Sequence, residues 1–455
     1  MQELKVATVF SGIGALEESL KQLKINHIIK FACDNGEREP KQDLTTLYKV
    51  AKSVLPEKKA EELIRLYINK MFNRNDINDA VIEEELSNLY GEIRTLDIKN
   101  AIKRIDNSEN LYYGEGEFIF QLKYEEIAEA RKILTKQETH DFVEAWYSST
   151  KRPNEVKKSY LANYKIEGES WYEDIRFLDG EQYKDSIDLF CGGSPCQSFS
   201  TYGKKKGLED ARGTLFYDYA RLVKEINPKV FIYENVKGLL THDKKKTWEI
   251  ISNIFKRLNY HIYHKVLDAQ DYGLPQMRER IFVIGIRKDI ANKEAFKFPE
   301  PIQLTKKSVD YLDKNVDNKY YLGKKGFEWA TIKAKNKNKT RVNRDIIGCQ
   351  TANQQDNWIG DLRIEHPEQR HYNDIRIFIG EYDGHPAVAR KMTPNECVKL
   401  MGFENFRIVV NDNNMYRQAG NSIAVPVLNA IMKQLMPILQ PEYCANVEGI
   451  ESPQQ

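Results

Sequence analysis

Residues 6–20 read VATVFSGIGALEESL. An apolar run, Val6 to Phe10, meets a Ser-Gly-Ile-Gly turn, and Ala15 to Leu23 then carries the pattern of a helix. Glycines in such a turn let the backbone bend tightly and approach a ligand closely. A lone GxG turn also occurs where nothing binds, so the next strand decides the reading. His27 to Ala32 is that strand, and it ends at Cys33-Asp34, where a carboxylate can accept both hydroxyls of a ribose. Glu17 stands where a dinucleotide fold has its third glycine, and the P-loop lysine is missing. Phe10, Gly12, Gly14 and Asp34 therefore point to a nucleoside cofactor without a phosphate chain, such as S-adenosylmethionine.

The same strand-then-polar pattern recurs. Ile187 to Cys191 leads into GGSPCQSFS (192–200), Val230 to Tyr233 into Glu234-Asn235, and Ile281 to Ile286 follows Gln276-Met277-Arg278-Glu279-Arg280. Strands alternating with helical stretches predict an α/β fold, Rossmann-like, with a parallel sheet and ligands beyond the carboxyl ends of its strands. Gly192 and Gly193 make a turn there, and Pro195 restricts the backbone just before Cys196. That thiol is either a nucleophile with neighbours that lower its pKa or an inert cysteine in a tight loop. Glu234 has three readings: a ligand, an acid/base group or a surface salt bridge. Arg278 and Arg280 share a strand face. They are either plain surface charge or donors to an anion or a base carbonyl.

With 455 residues, 41% apolar and 30% charged, the chain has the composition of a soluble globular protein of two or three domains. No apolar run has bilayer length, and MQELKVATVF lacks a signal-peptide layout, so a cytosolic location without membrane contact is expected. The six cysteines are scattered, with no CxxC pair and no clustered histidines, which argues against a metal site and a disulfide framework. Five of them are expected to fill cores. Residues 301–345 hold twelve Lys/Arg against five Asp/Glu, so this segment could face phosphates, or it is a solvated lysine-rich surface. Residues 41–157 hold nineteen against twenty-two and break the α/β rhythm. Ala60, Leu63, Ile64, Tyr67, Ile68, Met71 and Phe72 line one helix face there. Ile127 to Leu134 also reads as helix and Glu117 to Leu122 as a strand. From 289 to 388, Lys, Asn and turn residues with short strands such as Ile375 to Ile379 predict a smaller second domain.

Taken together and in order, these motifs resemble the DNA (cytosine-5) methyltransferases of the bacterial restriction-modification type. FSGIG (10–14) resembles the family's cofactor loop and Asp34 its ribose-binding acid. YEDI (172–175) resembles the segment whose aspartate, here Asp174, holds the adenine amino group beside Ile175. SPCQSFS (194–200), EDARGTLF (209–216), ENVKGL (234–239), QMRERIFVIG (276–285), RKMTPNECVKLMGF (390–403) and QAGNSIAVPVL (418–428) complete the set. The resemblance covers residues 6–40, 158–288 and 389–436. Ala15 stands where the family usually has a glycine, and Asn395 where an arginine is common, so altered packing is expected at both.

The resemblance implies a catalytic domain at 1–288, interrupted by a mostly helical element at 41–157. It places a target-recognition domain at 289–388 and a segment returning to the catalytic domain at 389–455. It implies that Cys196 adds to C6 of a cytosine flipped out of duplex DNA, with Glu234, Arg278 and Arg280 as the other catalytic residues. S-adenosyl-L-methionine is the implied methyl donor and S-adenosyl-L-homocysteine the product, without metal. Pro195, Leu215, Asn421 and Ser422 join the cofactor residues named above. Gln197, Ser200, Arg212, Asn235 and Thr351 are the expected DNA contacts, and Trp358 is either near a base or core. Two rivals are a tRNA methyltransferase of the same family and a non-catalytic DNA-binding protein on this fold. A monomer is expected, working alongside a cognate restriction endonuclease without touching it. Residues 41–157 either pack on the sheet edge or bind a partner.

Overall fold

The computed structural model describes residues 3–40, 44–63, 133–194, 215–333, 340–355, 358 and 360–441. Its larger sheet has seven strands: β1 (Leu4–Val9), β2 (His27–Cys33), β3 (Trp171–Tyr172), β4 (Leu189–Gly192), β5 (Val230–Val236), β6 (Tyr260–Asp268) and β7 (Glu279–Arg287). They lie in the order β3-β2-β1-β4-β5-β7-β6. The chain thus runs outward from β1 to β3, then returns to the other side of β1 for β4 and β5. The reversal leaves a crevice beyond the ends of β1 and β4.

Period-two alternation explains why the strands pair. Leu189 and Cys191, Val230 and Ile232, and Phe282 and Ile284 face one apolar core, while Phe190, Phe231, Tyr233 and Val283 face another. A sheet covered on both sides reads as near-continuous apolar runs. The helices that cover it are α1 (Ala15–Gln22), α4 (Glu155–Asn163), α5 (Leu215–Ile226), α6 (Lys246–Arg257), α7 (Asp412–Asn421) and α8 (Val425–Leu439), with α2 (Leu44–Val54) and α3 (Lys136–Ser148) to one side.

Several expectations need correction. The sheet is not wholly parallel: β7 pairs antiparallel with both β5 and β6. The link from β6 to β7 runs only from Ala269 to Arg278, too short for the crossover that a parallel neighbour requires. Glu234 and Asn235 lie inside β5, not after it. Ile375 to Ile379 is no strand: Ile375 is fully exposed, and the Asp374 carboxylate accepts from the Arg376 amide and guanidinium, closing a turn. Asp412–Leu439 does have the length and composition of a membrane span, contrary to the sequence reading. Residues 422–424 break it into two helices, however, and α8 packs into the core.

In the 41–157 segment, Leu47, Ala51, Ala60 and Leu63 meet Phe142, Val143 and Trp146 of α3 in a small core of their own. The expected helix face beyond Leu63, most of the helical stretch 127–134 and the strand 117–122 lie outside the described residues. A second sheet, β10-β11-β9-β8, is built from β8 (Thr340–Val342), β9 (Gly360–Glu365), β10 (Gly380–Tyr382) and β11 (His385–Lys391). Trp358 packs half-buried against the core of this sheet, the second of its two readings. Asn395, in place of the expected arginine, donates from Nδ2 to Asp313 at 2.7 Å.

Candidate active site

Five strand ends open onto one cleft of about 2300 Å³. Phe10 and Gly12 follow β1, Asp34 follows β2, Asp174 follows β3, Gly193 and Ser194 follow β4, and Glu234 sits two residues before the end of β5. Because β7 runs the other way, its beginning and not its end reaches this edge, which brings in Arg278 and Arg280.

The β1 turn needs its glycines. Gly12 and Gly14 have φ of 54° and 80°, and a Cβ on Gly14 would lie 2.3 Å from the Tyr164 ring. Asp34 Oδ2 accepts the Gly12 amide at 3.0 Å and Oδ1 the Gly36 amide at 2.8 Å. Burial nevertheless pushes its carboxyl up to about 6, with Glu37 and Glu173 adding to the rise. Asp34 is half-buried and lines the cleft.

Asp174 is held differently. Arg176 donates to it from its backbone amide and its guanidinium, and the Tyr147 hydroxyl donates at 2.9 Å. Burial would raise this carboxyl, but Arg176 holds it below the usual carboxylate range. Ile175 is buried beside it, and its carbonyl accepts from Arg221 at 2.7 Å. Leu215 also lines the cleft, at the start of α5.

The two glycines ahead of the Pro-Cys pair are required by close packing. A Cβ on Gly192 would sit 2.6 Å from the Val9 carbonyl oxygen, and one on Gly193 would sit 2.5 Å from that of Glu234. Asn235 is buried; its amide donates to the Ser194 carbonyl at 3.2 Å and to the Tyr233 hydroxyl at 2.9 Å. Asn235 thus ties β5 to the chain leaving β4. Pro195, Cys196, Gln197, Ser200 and Arg212 lie outside the described residues.

Glu234 and Arg280 pair across the β5–β7 ladder, with Oε1 and Nε 3.2 Å apart. Burial raises the Glu234 carboxyl, and Arg280 and Arg278 only partly offset this. Such a carboxyl can hold a proton in a dry pocket. Arg278 is buried and donates to the carbonyls of Gln350, Gly420 and Ser422, so it joins three segments at the cleft wall. Thr351 is exposed on that wall, and its backbone lies so close to Gly420 that a Cβ there would come within 2.2 Å. Asn421 donates to Glu37 at 2.6 Å, linking the last helices to the loop after Asp34.

Sequence reasoning missed two residues here. Cys349 is not core filler: it is exposed in the cleft, 3.4 Å from Arg278 Nη1 and 3.7 Å from Arg280 Nη2. Burial would raise its thiol, but the two guanidiniums hold it below the ordinary value. No motif surrounds it, so nothing in the sequence marks it. Tyr147 belongs to a segment with no counterpart in the quoted motifs. Cys33, Cys191 and Cys397 are buried as expected, and Cys444 lies outside the described residues.

The donor set fits S-adenosylmethionine. A glycine turn without a phosphate-binding lysine follows β1, acids follow the next two strands of the sheet, β2 and β3, and among the described residues nothing lies within 4 Å of where a Gly12 Cβ would be. Among the described residues no cluster of His, Cys, Asp or Glu could hold a metal.

Comparison with known proteins agrees. The family model described as C-5 cytosine-specific DNA methylase matches residues 139–437. The chain is similar to the Type II methyltransferase M1.ScrFI of Lactococcus lactis subsp. cremoris, with 38% identity over 62% of this chain and 70% of that protein. It is similar to the Type II methyltransferase M.SsoII of Shigella sonnei at 38% identity, over 62% of this chain and 72% of the other. In fold it is similar to the S. pombe Dnmt2 methyltransferase, with a TM-score of 0.52 and 14% identity, over 96% of this chain and 100% of that one. The family match begins after the β1–β2 segment, which the fold places in the same sheet beside β4. With its strand ends, paired acid and arginine, and family match in agreement, the chain belongs to the C-5 cytosine-specific DNA methylases and is a DNA (cytosine-5) methyltransferase.

Proposed function

We propose that the chain methylates C5 of a cytosine flipped out of one short duplex sequence, through a bond between Cys196 and C6. The observation that carries this is the half-buried Glu234–Arg280 pair beside Gly193, three residues before that cysteine. Cytosine C5 is a poor nucleophile at neutral pH, and addition of a thiolate at C6 makes the ring an enamine. Glu234, its carboxyl raised by burial toward the protonated form, donates toward N3 as charge builds on the ring. Arg280 donates to the O2 carbonyl, and such pre-placed donors usually supply the largest catalytic term. Arg278 keeps the wall carrying Gln350 and Ser422 against this pocket. S-adenosylmethionine, when bound, supplies an electrophilic methyl group for C5. Water then removes the C5 proton, and elimination returns the Cys196 thiolate.

For the cofactor, Asp34 takes the ribose hydroxyls and Asp174 the adenine amino group, with Phe10, Gly12, Gly14, Ile175, Pro195, Leu215, Asn421 and Ser422 around them. Flipping the base costs about a few kcal/mol, which Gln197, Ser200 and Arg212 offset by contacts to the DNA. Asn235 holds the start of that loop. Thr351 faces the DNA from the 289–388 region, which carries sequence recognition, while 1–288 and 389–455 form the catalytic domain with 41–157 inserted. Similarity to Type II methyltransferases supports a role in protecting host DNA within a restriction-modification system. The protein acts as a cytoplasmic monomer without direct contact to the endonuclease. Methyl transfer to unmethylated genomic DNA, read by bisulfite sequencing, tests the reading. Protected cytosines in one short context are expected; none, with cofactor still bound, would refute it.

A further inference from the structure

The segment 41–157 does not stop at the sheet edge. Its helix α3 brings Trp146 and Tyr147 to the cofactor end of the cleft, where Trp146 and Phe142 pack against Phe177, three residues past Asp174. Tyr147 lines the cleft and donates its hydroxyl to Asp174 Oδ2 at 2.9 Å. Arg38 lies over the Tyr147 ring at 5.1 Å and pairs with Glu173. Asn154, just after α3, donates to the Asp34 carbonyl at 2.8 Å and to Glu173 at 2.7 Å. Both acids of the cofactor site are thus braced from the same segment.

We propose that Tyr147 is a positioning residue for cofactor binding: its buried phenol fixes the Asp174 carboxylate for the adenine amino group. A carboxylate has about four acceptor positions, and Asp174 already accepts from the Arg176 amide and guanidinium as well as from Tyr147. An adenine amino group must therefore replace one donor. The Arg176 side chain is about a third exposed and can swing into solvent, whereas Tyr147 is almost fully buried between α3 and the sheet. Arg176 is the donor that yields and Tyr147 the one that stays. Burial and the adjacent carboxylate raise the phenol well above its ordinary value, so it remains a donor throughout the working pH range.

The proposal rests on the reading of Asp174 as the adenine-binding acid, and the test separates the two. The probes are S-adenosylhomocysteine and its inosine analogue, which presents a carbonyl in place of the amino group, titrated by calorimetry on the full chain. Tyr147→Phe should weaken S-adenosylhomocysteine about five- to tenfold, the size of a typical net hydrogen bond. The analogue should weaken less, so discrimination between the two falls. With DNA, KM for the methyl donor should rise while kcat at saturation stays within about twofold. A purely structural role would move the melting temperature without moving discrimination. Weaker binding in Asp174→Ala together with unchanged binding and discrimination in Tyr147→Phe would overturn the proposal alone. Unchanged binding in Asp174→Ala would overturn the adenine reading and this proposal with it.

Discussion

Asp34 makes cofactor affinity depend on pH in a predictable direction. Its carboxyl is raised to about 6, chiefly by burial, so the free protein holds it largely neutral at pH 5 and ionised at pH 7. Ribose hydroxyls donate to the ionised form, so binding favours ionisation and releases a proton. With a pKa of about 6 the ionised fraction is about one eleventh at pH 5 and ten elevenths at pH 7. The dissociation constant for S-adenosylhomocysteine should therefore be about tenfold larger at pH 5 than at pH 7.

The stability of the free protein should move the opposite way. A raised carboxyl stabilises the fold below its unfolded value of about 3.9, and that contribution is lost as pH rises through about 6. Calorimetry in two buffers of different ionisation enthalpy would count the released proton. Asp174 is held below the usual range and stays ionised in this window, and no histidine lines the cleft among the described residues. Asp34→Asn should flatten the pH profile and bind about tenfold more weakly at pH 7. A flat wild-type profile, or an Asn variant that keeps the slope, would refute the ribose role of Asp34.

Other expectations follow from the same geometry. Cys196→Ala should abolish methyl transfer while calorimetric cofactor binding persists, and substantial residual methylation would exclude the covalent route. Glu234→Gln should lower kcat by about 10²–10⁴ and remove the decline in wild-type activity as pH rises above the elevated Glu234 value, read in a pH–rate profile. Gly193→Ala places a methyl 2.5 Å from the Glu234 carbonyl oxygen. It should cost about 1–3 kcal/mol in a denaturant titration and depress kcat as well. Glu396→Ala leaves Arg390 buried with Glu365 as its one acidic partner among the described residues, and should lower stability by about 3–5 kcal/mol.

The parts of the site legible in the sequence are those whose chemistry is carried by local geometry. A strand that ends at a glycine turn or an acid announces itself, because strand period and turn residue are both written within ten residues or so. So β1, β2 and β4 are legible with Gly12, Asp34 and Gly193 just past their ends, while β5 is legible but runs on through Glu234. The direction of β7 was not legible. Ile281 to Ile286 reads the same either way, and only the short Ala269–Arg278 link dictates an antiparallel return. Ile375 to Ile379 failed for a related reason: alternation in a short run is outweighed by an Asp-x-Arg turn that satisfies the backbone locally.

What stayed hidden is contact between segments far apart in the chain. Arg278 could be seen to share a face with Arg280, but nothing local says that its donors meet carbonyls of residues 350, 420 and 422. A free cysteine usually fills a core, yet Cys349 stands in the cleft beside two guanidiniums. The consequence reaches function. A cleft whose pocket wall is held by Arg278 on carbonyls from two distant segments couples the region expected to read DNA to the strand that carries Arg280, expected to hold the cytosine. Arg278→Lys keeps the charge but cannot span three carbonyls, so it should loosen that wall and lower kcat more than it weakens S-adenosylhomocysteine binding at Asp34 and Asp174. Equal losses in both would mean that the carbonyls of 350, 420 and 422 brace the whole cleft and not the cytosine pocket in particular.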